Sequence, residues 1–152
     1  MPGDVVAVHR LAERSGVFSP AEVAIAGELV EERLARGLAA SGYHFLFAER
    51  ERGQLLGYVC FGPIPLTQAS WDLYWIAVDP GHRGLGLGRR LIGEAERRAK
   101  AAGGTALYAD SSGRADYAPA RAFYASQGYA LAAELPDFFS PGDAKVVFRK
   151  FL

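Results

Sequence analysis

Residues 83–89 read Arg-Gly-Leu-Gly-Leu-Gly-Arg, a glycine-rich stretch closed at both ends by arginine. Glycine lets successive backbone N–H groups converge on one concave spot. An apolar run, Leu73–Val78, precedes the loop through a turn at Asp79-Pro80-Gly81, and a helical pattern follows it. The start of such a helix adds about half a positive charge at the same place. Arg83 and Arg89 add full charges. The chemistry offered is anion binding, a phosphate or pyrophosphate; a tight turn without a ligand is the bland alternative.

Two familiar phosphate motifs do not fit. A P-loop needs Lys and then Ser or Thr after its last glycine, whereas Arg89-Arg90 follows Gly88. The dinucleotide fingerprint starting at Gly84 and Gly86 needs a glycine at position 89, which is Arg89.

The elements that must position the loop can be read around it. With 152 residues, half of them hydrophobic, the chain reads as one domain, residues 1–152, with one core. Seventeen basic residues balance seventeen acidic ones, so no overall field favours nucleic acid or an anionic membrane. The lone Cys60 cannot form an internal disulfide and fits a reducing compartment. Met1-Pro-Gly-Asp lacks the features of a signal peptide, and no apolar run is long enough to cross a bilayer; the expected location is cytoplasmic.

Val5–Val8 is a strand candidate. Ser19-Pro20-Ala21-Glu22 reads as a capping box opening a helix that ends before Gly37 or by Gly42. Tyr43–Ala48 and Leu55–Phe61 form a hairpin about the turn Glu51-Arg52-Gly53-Gln54. After the Leu73–Val78 strand, Leu87, Leu91, Ile92, Ala95 and Ala99 mark one face of a helix stopped by Gly103-Gly104. Thr105–Ala109 is a short buried strand, so strand, helix and strand form a crossover between parallel strands. A helix over Pro119–Gln127 and a final antiparallel pair, Tyr129–Ala133 with Lys145–Phe151, complete a mixed α/β order around one sheet. Pro136–Asp143 reads as a turn-rich loop between these last strands.

Two segments together carry a family resemblance. Arg83-x-x-Gly86-x-Gly88 resembles the Q/R-x-x-G-x-G/A pyrophosphate loop of the GNAT acetyltransferases. Ala120-Arg121-Ala122-Phe123-Tyr124 with Gly128-Tyr129 resembles a second GNAT segment, A-R-x-F-Y-x-x-x-G-F/Y. The resemblance covers nearly the whole chain. It implies the GNAT fold: a single central, mostly antiparallel sheet with a splayed parallel strand pair, flanked by helices, with acetyl-CoA in the cleft. It implies no metal. It implies that Arg83, Gly84, Leu85, Gly86, Leu87, Gly88 and Arg89 hold the pyrophosphate and that Ile76, Ala77 and Val78 face the pantetheine arm, with the thioester against the backbone near Ile76. Ser111, Arg121 and Tyr124 complete the implied cofactor set, although Ser111-Ser112 stands where many relatives carry asparagine.

The implied reaction moves acetyl directly to an amine, either a small molecule or a protein amine. A non-catalytic acyl-CoA-binding or sensing module is the alternative, and a homodimer is compatible with either. Chemistry sets the roles. An alkyl amine with a pKa of about 10.4 must lose a proton before attacking, the thioester oxygen needs donors, and the departing thiolate can take a proton. Tyr124 is the acid candidate, against a core aromatic; Asp72, at the head of the apolar strand, is the base candidate, against a solvated strand-end charge. Asp137, Phe138 and Phe139 are candidates for the acceptor wall, against turn-formers and core plugs. Asp79 and His82 read as turn residues, His9 and His44 as structural, and Cys60 as core filler rather than an acyl carrier.

Overall fold

A computed structural model describes residues 1, 3–16, 18–51 and 53–152. Its first element corrects the sequence reading: Val5–Val8 lies inside helix α1 (Gly3–Ser15), not in a strand. The reason is visible beyond the four residues read. Val8, Leu11, Ala12 and Ser15 are buried at helical spacing, so the apolar stripe continues for two further turns.

Helix α2 (Pro20–Ser41) opens on the expected capping box. The Ser19 amide donates to Glu22 Oε2 at 2.7 Å and the Glu22 amide donates to Ser19 Oγ at 3.3 Å. Both expected stops leave a mark. Gly37 is non-helical, with φ 73°, and breaks the helix internally, while Gly42 caps it in the left-handed region.

Strands β1 (His44–Arg50) and β2 (Gln54–Pro63) form the antiparallel hairpin; Arg52 of its expected turn lies outside the described residues, as does Pro2 of the opening tetrapeptide. Next come β3 (Ser70–Val78), α3 (Leu87–Ala101), β4 (Ala106–Ser112), α4 (Ala118–Ser126), β5 (Ala130–Ser140) and β6 (Asp143–Phe151). One six-stranded sheet runs β1-β2-β3-β4-β6-β5, antiparallel except for the β3–β4 pair. Two further expectations change. Asp72 is inside β3, not ahead of it, because Ser70 and Trp71 already pair with β4. The Pro136–Asp143 segment is largely strand: β5 continues to Ser140 through an irregularity in which Asp137 has φ 55°, and only Pro141-Gly142 turns.

Helices cover both sheet faces. On one, α3 buries Leu91, Ile92, Ala95 and Ala99 against Val59, Leu73, Leu107 and Phe148. On the other, α1 and α2 bury Val8, Leu11, Val23 and Val30 against Leu55, Tyr58 and Ala77.

The feature that creates a site is in β3. Cys60 pairs with Trp75 and Phe61 with Leu73, so Tyr74 is an extra residue, a β-bulge. Pairing between β3 and β4 covers Ser70–Leu73 with Ala106–Ala109 and ends there. Beyond it β4 continues to pair with β6 through Ser112 and β3 with β2 through Val78. The parallel strands therefore part at the bulge, leaving facing edges with unpaired backbone groups.

Candidate active site

The cleft between the parted strands opens into a cavity of about 1030 Å³. One wall is β3 from Tyr74 to Val78, and the other is Asp110, Ser111 and Ser112 of β4. Each edge still carries N–H and C=O groups that an extended ligand can pair with, as another strand would.

The glycine-rich loop meets this cavity at the head of α3. Gly84 and Gly86 hold φ of 77° and 78°, a conformation that favours glycine. Gly86 caps α3 without a side-chain bond. The first turn of a helix leaves its N–H groups without intrahelical partners, and no amide from Gly84 to Arg89 donates to a described backbone carbonyl. Gly88 lets α3 approach α4, since a Cβ there would lie 3.3 Å from the Phe123 ring. Arg83 and Arg89 line the cavity and form no ion pair with a described carboxylate. Arg83 is oriented by donating to the Ser15 carbonyl at 2.8 Å. The turn before the loop is fixed by Asp79, which accepts from the Gly81 amide at 3.0 Å, contacts His82 Nδ1 at 3.2 Å and pairs with Arg14 at 2.9 Å. Hydrogen bonding to His82 leads the effects that hold the Asp79 carboxyl below its ordinary range.

Tyr124 of α4 lines the cavity and is only 6% exposed, packed by Phe123, Tyr129 and Phe148. Its hydroxyl makes no hydrogen bond to another described residue. Burial, and then the charge of Asp110, push its pKa up, so it holds its proton throughout the neutral range.

Asp72 is half-buried and, unlike Asp110 and Lys145, is not part of the cavity wall. Burial first and Asp110 second raise its pKa to about 6, with Lys145 acting the other way. Lys145 pairs with Asp110 at 3.2 Å and lies over the Phe138 ring at 4.7 Å.

Of the candidate residues, Ile76–Val78, Arg83, Gly84, Gly86–Arg89, Ser111, Tyr124 and Phe139 line one cavity. Leu85, Arg121, Asp137 and Phe138 are outside its wall. Arg121 instead donates to the carbonyls of Ser112 at 2.7 Å and Arg114 at 2.8 Å, tying down the chain after β4. Asp137 accepts from the Gly142 amide at 2.7 Å within the hairpin. Phe138 and Phe139 stack edge to face, and both are more than half exposed, so neither plugs the core. Cys60 is fully buried away from the cavity, and burial pushes its thiol pKa up. Among the described residues no group of His, Cys, Asp and Glu is arranged to hold a metal ion, and no helix is long and apolar enough to cross a membrane.

Sequence reasoning missed Phe18, Glu22, Asp110, Tyr117 and Lys145, all of which line the cavity. No local motif marks them; they meet only because α2, β4, β6 and the turn before α4 converge.

A parallel strand pair opened by a bulge, beside an uncapped helix start, defines a protein built to hold an extended anionic ligand. The chain matches the family profile "Acetyltransferase (GNAT) family" over residues 8–129 and belongs to that family. It is 41% identical over 95 residues to blasticidin-S acetyltransferase of Streptomyces morookaense, covering 60% of this chain and 63% of that one. It is 34% identical over 99 residues to the uncharacterized N-acetyltransferase YhbS of Escherichia coli K12, covering 62% and 53%. The matches thus span less than two thirds of these relatives. A GNAT-family crystal structure from Desulfovibrio desulfuricans superposes with a TM-score of 0.95 at 42% identity, covering 99% of this chain and 94% of that one. An aminoglycoside 6'-N-acetyltransferase complexed with coenzyme A shares the fold at 17% identity and a TM-score of 0.73, covering 97% and 89%.

Proposed function

We propose that the protein transfers an acetyl group from acetyl-CoA directly to an amine. The carrying observation is the free edge of β3 beyond Leu73, lying beside the amides of Gly84–Arg89, which donate to no described backbone carbonyl. Pantetheine has amides that suit the first, and a pyrophosphate suits the second. In this reading Arg83, Arg89 and the loop amides hold the diphosphate. The backbone of Ile76, Ala77 and Val78 aligns the pantetheine arm, and an N–H near Ile76 faces the thioester oxygen where negative charge develops. Asp72, directly or through water, takes the proton that the amine must lose, while the Tyr124 hydroxyl gives one to the departing sulfur. The new bond is C–N, the broken one C–S, and the products are an amide and free CoA thiol.

The likeness to blasticidin-S acetyltransferase favours a small-molecule amine. Phe139 lines its pocket, with Phe138 and Asp137 behind it. In this reading residues 1–152 belong to one domain, and the buried, unpaired Cys60 favours a reducing cytoplasm. Thiol release from acetyl-CoA across a panel of amines tests the reading. CoA binding without amine-dependent release would make the protein a binding module instead.

A further inference from the structure

The cavity has a second recess that the acetyl-transfer steps leave unused. Phe18, Trp75, Tyr117 and Glu22 all line it. Phe18 and Trp75 have ring centroids 4.7 Å apart. Trp75 belongs with the core under α1 and α2, whereas Tyr124 and Ile76 pack against the core under α3, so the recess and the acid candidate occupy opposite sheet faces. Glu22 Oε1 accepts from the Tyr117 hydroxyl at 2.8 Å and Oε2 from the Ser19 amide at 2.7 Å. Each carboxylate oxygen has room for another donor. Among the described residues no cation pairs with Glu22. Of the cations that share the cavity, Arg83 donates to the Ser15 carbonyl and Lys145 pairs with Asp110. Arg114 pairs with Asp116 at 3.1 Å while lying 5.3 Å over the Tyr117 ring, and Arg89 pairs with no described carboxylate. A carboxylate without a described cationic partner, sharing a cavity with aromatic rings, suits a cationic group.

We infer that the acceptor is at least dicationic: one amine is acetylated, and a second cationic group binds Glu22 within the recess of Phe18, Trp75 and Tyr117. This rests on the acetyl-transfer reading for the first amine but not for the second. Asp72 and Asp110 belong to the strands at the parting point, whereas Glu22 belongs to α2. A charged second group then fixes which amine is presented, which is a specificity device rather than part of the chemistry.

The test compares α,ω-diaminoalkanes with n-alkylamines of matched chain length. The wild-type protein should favour the diamines in kcat/KM by about tenfold, the worth of one charge-assisted contact. Glu22→Gln keeps one oxygen to accept from the Ser19 amide, sets its NH2 to donate to the Tyr117 hydroxyl oxygen and removes the charge, and should bring that ratio close to one. Binding is read separately by titrating diamines against tryptophan fluorescence with CoA present; Trp75→Phe assigns the signal to the recess. About tenfold tighter diamine binding to wild type than to Glu22→Gln supports the recess even if no amine is acetylated, in which case only the acetyl-transfer reading falls. Diamine turnover with the same ratio in both proteins, or no diamine binding to the wild type, overturns the inference.

Discussion

Lys145 on β6 places its ammonium 3.2 Å from the carboxylate of Asp110 on β4, and both charges act on Asp72 of β3. Asp110 makes ionisation of Asp72 harder and Lys145 makes it easier. Replacing Lys145 by Met should therefore raise the Asp72 pKa above about 6 and move the acid limb of the kcat/KM profile to higher pH. Lys145→Arg should leave the limb in place. A limb that ignores the Met substitution would disconnect Asp72 from the rate.

Asp72 also links stability to pH. Its folded pKa, about 6, lies above the ordinary carboxylate value of 3.8. The folded state thus binds more protons than the unfolded one between these values, and stability falls as pH rises through that window. Asp72→Asn should remove this loss, so the variant gains on wild type from pH 4 towards 6 in urea titrations. The same variant should lose turnover near neutral pH and recover part of it at higher pH, where more amine is already neutral. A pH-independent loss would make Asp72 a positioning residue.

Tyr124→Phe should lower kcat by roughly 10²-fold, the low end for general acid catalysis because a thiolate is already a fair leaving group. CoA affinity by calorimetry should hardly change. Full turnover in the variant would leave Tyr124 as packing for Phe123, Tyr129 and Phe148.

Gly86→Glu should abolish CoA binding by placing a side chain and a negative charge before the α3 amides. Because Gly86 has φ 78°, any side chain there also strains the backbone by about 1–2 kcal/mol. Gly86→Ala carries the strain alone and should retain weakened binding. Equal affinity in the Glu variant and the parent would remove the loop from the binding site.

Gly62 in β2 is a packing constraint behind the site, opposite Asp72 in register. A Cβ there would meet the Gly42 carbonyl oxygen at 2.1 Å, and backbone cannot step aside as a side chain can. Gly62→Ala should cost about 1–3 kcal/mol in denaturant unfolding, with no such penalty at Gly93, where a Cβ meets nothing.

Local patterns carried much of this architecture. Ser19 with Glu22, the hairpin alternation and the Leu87–Ala99 stripe each encode an element within a few residues, so their signals survive without tertiary context. Val5–Val8 misled because four apolar residues fit either period, and only Leu11, Ala12 and Ser15 decide for a helix. The Pro136–Asp143 segment misled because proline and two aspartates are turn chemistry, yet an exposed edge strand tolerates them at an irregularity. The loop Arg83–Arg89 was legible because its glycines are needed locally. Glu22 and Tyr117 were not: they are 95 positions apart and share a bond only after the fold has closed.

The bulge at Tyr74 also inverts the phase of its strand. Before it, odd-numbered Trp71 and Leu73 belong to the core beneath α3; after it, even-numbered Ile76 and Val78 do, while Trp75 and Ala77 turn to α1 and α2. Deleting Tyr74 would remove the bulge and leave strict alternation with every downstream side chain on its present face. Regular pairing with Tyr74 retained would instead drive Trp75 into the α3 core and turn Ile76 and Val78 under α1 and α2. One residue, whatever its side chain, thus works as a spacer that keeps two otherwise incompatible alternations in a single strand.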